Sequence, residues 1–121
     1  VNRMFLNRDL LYHPYHLLEV IRHEGWHATQ DCMAGTISNS YIAVIYNDAL
    51  IPREFKLLAD LRYGLMQANV IPWEQEAIWA GDTPNMTVKG LEACSKGKMW
   101  EKYKPTPMTK DWLIRNGYMR Q

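Results

Sequence analysis

"IRHEGWHATQDCMAG" (residues 21–35) is the stretch whose reading decides the fold. His23 and His27 stand four residues apart, and Glu24 directly follows the first of them. Leu17, Leu18, Ile21, Gly25, Ala28 and Cys32 recur around them at three- and four-residue steps, the period of a helix face. Pro14 suits the first turn of such a helix, where its lack of an N–H costs nothing. Gly35 suits its end, because glycine readily adopts the left-handed conformation that closes many helices. The pattern predicts a helix over Tyr15–Ala34, with both histidines well inside it.

Residues i and i+4 lie one above the other on a helix, so two imidazoles at that spacing can reach one tetrahedral metal ion. Glu24 sits about 100° round the helix from His23, near such an ion without binding it. There it can take a proton from a metal-bound water whose pKa has fallen to about 7. With four histidines in 121 residues, chance produces one H-E-x-x-H in roughly 1% of such chains. Gly25 and Ala28, both small, would let another element approach the motif closely. The ordinary alternative is a surface helix with two titrating histidines.

Catalytic zinc sites usually hold three protein ligands and a water. No histidine follows His27, so a downstream carboxylate is the first place to look for the third. In "PWEQEAIWA" (residues 72–80), Trp73, Glu76, Ala77 and Ala80 share one helical face, which makes Glu76 the best candidate. Glu74 shares its side with Ile78. Glu54 lies in line with Leu58, Leu61 and Leu65, and Glu92 is a more distant choice. Glu54 and Glu74 also have a plainer reading, as first-turn carboxylates favoured by the helix dipole. A carboxylate oxygen of the true ligand should lie within about 4 Å of both metal-facing imidazole nitrogens, given metal bonds near 2 Å.

His23-Glu24-Gly25-Trp26-His27 followed by Glu76-Ala77-x-x-Ala80 resembles the zincin metallopeptidases, specifically the gluzincin branch. With Gln30 it is also similar to the H-E-x-x-H-x-x-Q form of some small zinc peptidases, several of them phage-encoded. The resemblance implies a zincin-like, mainly α-helical core in which the motif helix packs on a second helix carrying Glu76. It implies His23, His27 and Glu76 as zinc ligands, Glu24 as general base, and a peptide or protein as substrate. It departs from the family in one respect. Zincins usually place a small sheet before the motif helix, and here only 14 residues precede Tyr15. At most a vestigial sheet is expected, with "YIAVIY" (residues 41–46) as a possible strand.

Around this core the pattern predicts a helix from Pro52 to about Ala68, with Phe55, Leu58, Leu61 and Leu65 on its apolar side. A third helix starts at Pro72 and stops at Gly81. A fourth runs from Thr87 to Ser95. "KYKPTPMT" (residues 102–109) reads as a loop, and Thr109 caps a short last helix ending before Gly117. "RMFLN" (residues 3–7) could form a short strand. Asp31 could accept the outer ring N–H of a ligand histidine. The five tryptophans read as core packing, although Trp26 could also wall the site. A hydrolase also needs an electrophilic group beside the metal, and nothing in the sequence selects one of the seven tyrosines for it.

The chain is 47% hydrophobic and 22% charged, a globular composition, and its length suits one domain over residues 1–121. The first residue is Val1, so the chain could lack an N-terminal part. A net charge of +1 gives no electrostatic case for nucleic acid or an anionic membrane as main partner. No apolar run approaches the roughly 20 residues needed to span a bilayer. Cys32 and Cys94 are expected as free thiols, which favours a cytoplasmic setting. The composite expectation is a zinc-dependent hydrolase. The alternative is an inactive zincin-like metal-binding protein with a structural or interaction role, for example a phage component.

Overall fold

The computed structural model describes residues 3–35, 41–65, 71–103 and 110–120. The chain is mainly α-helical, as its periodicity predicts. Helix α1 (Pro14–Ala34) opens on its proline and closes at Gly35, whose φ of 118° only glycine adopts without strain. Helix α2 is Arg53–Tyr63, α3 is Ile71–Asp82, α4 is Met86–Ser95, α5 is Met99–Lys102 and α6 is Lys110–Arg115. Strand β1 (Ile42–Ala43) pairs antiparallel with β2 (Met119–Arg120), and this is the whole sheet among the described residues. Residues 3–7 form no strand and lead into a 3-10 turn, Arg8–Tyr12. Helix α2 ends at Tyr63, where the Gly64 N–H bonds the Asp60 carbonyl, short of the predicted end at about Ala68; residues 66–68 and the Thr109 cap lie outside the described residues.

Helix α1 is the centre of the packing, with α3 and α4 both against it and α2 against α3. Glycines make these approaches possible. A Cβ on Gly25 would stand 2.8 Å from Thr87 Cγ2, and one on Gly90 would stand 2.7 Å from Thr29 Cγ2. The two helices therefore meet glycine against threonine in both directions. Gly25 thus has the role its size predicts, whereas Ala28 is exposed. The Thr87 hydroxyl completes the seam by donating to the Arg22 carbonyl at 2.7 Å. Gly81 does not stop α3. The helix continues to Asp82, and a Cβ at Gly81 would meet the Glu19 carbonyl at 3.0 Å and His23 Cβ at 3.5 Å. Its value is close approach to the motif helix.

The main core collects Trp26, Met33, Ile45, Trp73, Ala77, Ala80 and Leu113. A second cluster joins Ile51, Phe55 and Ala59 to Ile78, with Tyr63 and Ile71 packed against it. The inward side of α2 is therefore Phe55 and Ala59, with Leu58 and Tyr63 half-buried beside them, so the predicted stripe holds at Phe55 and Leu58 and fails beyond them. Leu61 and Leu65 are exposed.

The cysteines correct another expectation. Cys32 and Cys94 are joined in a disulfide across the α1–α4 seam and are not free thiols. The glycine–threonine contacts bring the two helices close enough for the thiols to meet. Among the described residues, no helix is long and apolar enough to cross a membrane.

Candidate metal centre

Three side chains from two helices converge at the α1–α3 seam. His23 and His27 project from the same face of α1, with ring centroids 5.0 Å apart. Glu74, in the first turn of α3, places one carboxylate oxygen, Oε2, 3.1 Å from His23 Nε2 and 3.3 Å from His27 Nε2. The three ligand atoms lie within 4.8 Å of one another, in a group that could hold a metal ion. The group is part-buried, so solvent still reaches it. A tetrahedral ion with bonds near 2.0–2.1 Å has ligand atoms about 3.3 Å apart. Both nitrogen–oxygen distances match that edge.

Glu74 therefore occupies the position expected of Glu76. Glu76 is wholly buried, and its carboxylate is used up elsewhere. Its Oε1 accepts from the backbone N–H groups of Ile45 (2.6 Å) and Tyr46 (2.7 Å). Its Oε2 accepts from the Trp26 indole N–H (3.0 Å) and the Gln30 amide (3.0 Å). Glu76 thus ties the segment after β1 to α1. Trp26 belongs to the core and does not wall the site. Glu54 and Glu92 are exposed and stand outside the group.

The electrostatics follow the geometry. Burial works against ionisation of Glu74, but hydrogen bonds and charge from His23 and His27 carry its carboxyl down to about 2. Burial likewise works against protonation of His27, yet the Glu74 bond and charge outweigh it and raise the imidazole above 6.5. Glu24 adds to that rise, so its charge is felt at the site without its being in the ligand group. Burial pushes Glu76 up to about 7 against its four donors.

Two further residues enter the site that no motif singled out for these tasks. The partner of His27 Nδ1 is Gln30, with its amide oxygen at 2.8 Å, and not Asp31. Gln30 is visible in the sequence only as part of a resemblance. Tyr63, at the end of α2, feels the charges of the site. Burial raises its phenol, and the charges of Glu74 and Glu24 raise it further. Its signal lies in register: α2 runs back along α3, which sets Tyr63 beside the face that carries Ile71, Glu74 and Ile78. No known protein family, curated protein or solved structure matches the chain.

Proposed function

We propose that the protein is a zinc-dependent hydrolase acting on peptides or proteins, with His23, His27 and Glu74 as the metal ligands. One observation carries the reading: a single Glu74 oxygen stands at tetrahedral-edge distance from two Nε2 atoms of an H-E-x-x-H helix. Two nitrogens and a carboxylate oxygen are a donor set that zinc accepts, with one position left for water. Zinc held there would acidify that water and polarise a substrate carbonyl. Glu24, which follows His23 in the motif and whose charge acts on His27, would accept the proton and return it to the leaving amine. Tyr63, whose phenol feels the charges of Glu74 and Glu24, is the candidate to hydrogen-bond a developing oxyanion.

Glu24→Gln tests the enzymatic part. The variant should keep the wild-type zinc content and lose cleavage of a mixed panel of internally quenched peptides. Equal rates for wild type and variant, or no cleavage by a zinc-loaded wild type across the panel, would remove catalysis from the reading. The sheet favours the second reading, a metal-binding structural or interaction module. Among the described residues each strand has two residues, and they pair with each other, so little edge is offered there to a substrate backbone.

A further inference from the structure

Gln30 is fully buried and touches three groups at once. Its amide nitrogen lies 3.1 Å from the Trp73 carbonyl oxygen and 3.0 Å from Glu76 Oε2. Its amide oxygen lies 2.8 Å from His27 Nδ1. A primary amide has two N–H donors on one end and only an acceptor on the other. The Trp73 carbonyl and an ionised Glu76 can only accept. Turning the amide round would set oxygen against oxygen at both places, so its sense is fixed by its partners. With the oxygen towards His27, the hydrogen-bonded Nδ1 must carry a hydrogen. That leaves the Nε2 lone pair for a metal, and Nε2 is the atom beside Glu74 Oε2.

Glu76, when ionised, reinforces the sense that the Trp73 carbonyl already fixes. Two backbone N–H groups hold one of its oxygens, and Trp26 and Gln30 hold the other. We infer that Glu76 and Gln30 are a buried positioning pair that sets the ring orientation and tautomer of His27, Glu76 acting through Gln30. The inference rests on the metal-binding reading of His23, His27 and Glu74, and it adds two residues that touch no metal. It also gives Glu76→Gln a specific consequence. The Ile45 and Tyr46 N–H groups claim the oxygen of the new amide, so its NH2 faces Gln30. Gln30 is then pulled two ways: that NH2 calls for its oxygen, whereas the Trp73 carbonyl still calls for its NH2. Its oxygen is no longer held steadily on His27 Nδ1, and the hydrogen there loses its fixed acceptor.

The test uses the full chain, labelled with 15N-histidine and loaded with zinc. Long-range 1H–15N correlations identify the nitrogen bonded to zinc. Competition with a chelator gives the affinity of wild type, Gln30→Met and Glu76→Gln. Wild-type His27 should bind through Nε2 and keep a slowly exchanging Nδ1–H. Both variants should bind zinc about 10- to 100-fold more weakly, the usual effect of removing a residue that orients a ligand. In Gln30→Met the Nδ1–H should also exchange fast. A purely structural Gln30 would change the melting temperature and leave that exchange untouched. Wild-type binding through Nδ1, or a folded Gln30→Met with wild-type affinity and a protected Nδ1–H, overturns the inference. The wild-type assignment decides it if neither variant folds. A wild type that takes no zinc removes the metal reading itself, which is a different failure.

Discussion

Glu74 and Glu76 are two positions apart, which turns their side chains about 200° apart round α3. Glu76 shares its face with Trp73, Ala77 and Ala80, all buried against the core. Glu74 shares its face with Ile71 and Ile78 and comes out at the edge of the seam, where water has access. Replacing Glu76 by Gln sets an NH2 against buried donors and should cost about 1–3 kcal/mol of stability, read from denaturant midpoints. A stability equal to wild type would contradict the four-donor arrangement. The same residues set the pH dependence of the metal-free protein. The contribution of Glu74, depressed to about 2, is present above its unfolded value of 4.5 and lost as pH falls from there towards 2. The contribution of His27 is present below 6.5 and lost as pH rises through its higher folded value. Glu76, raised to about 7, likewise loses stability between 4.5 and 7. Melting temperature in chelator should therefore peak near about pH 5 and fall towards pH 8. With zinc it should rise over that interval, because ligands must be deprotonated to bind. Parallel curves would show that these groups do not hold the metal.

At the scale of elements, the glycines decide how close the helices come. Gly81→Ala puts a methyl group 3.0 Å from the Glu19 backbone carbonyl, which cannot swing aside. The expected result is α3 pushed off α1, about 1–3 kcal/mol of lost stability, and weaker zinc binding because Glu74 moves with its helix. Calorimetry and zinc titration on the same sample check both; a change in stability with unchanged zinc affinity would uncouple the seam from the site. Helix α1 is legible in the sequence from its proline, its glycine and its apolar period, and the His23–His27 pair with it. The carboxylate that joins them, Glu74, is not. A helical wheel ranks a carboxylate by its apolar company, and that criterion finds the buried structural glutamate, whereas Glu74 stands part-buried at the rim. The α2 ridge is hidden for a related reason. Leucines at 61 and 65 outweigh Ala59 in hydrophobicity, but they are exposed, and Ala59 is small enough to lie wholly buried beside α3. Gly81 resembles a helix stop because composition alone does not distinguish a stop from a close approach.

For the molecule as a whole, a disulfide and a metal centre would both act on the motif helix. Cys32–Cys94 closes a sequence separation of 62 residues between α1 and α4. Closing such a loop in the unfolded chain is worth about 2–4 kcal/mol. Reduction should lower the unfolding free energy by about that amount, measured in denaturant with and without dithiothreitol. A stability indifferent to reductant would mean that the α1–α4 seam needs no crosslink. The pairing is illegible in the sequence because two cysteines so far apart meet only if α4 returns to α1, and that return is made by Gly25, Thr29, Thr87 and Gly90. The central claim is narrower than any of these. It is that His23, His27 and Glu74 hold one metal ion. Zinc titration of the chelator-stripped chain, beside Glu74→Ala, tests it most directly. Wild type should take up about one zinc per chain, as a single three-ligand site requires, and the variant should take up none at equal concentrations. A wild type that binds no zinc, or a folded Glu74→Ala that binds it as well, would contradict the account.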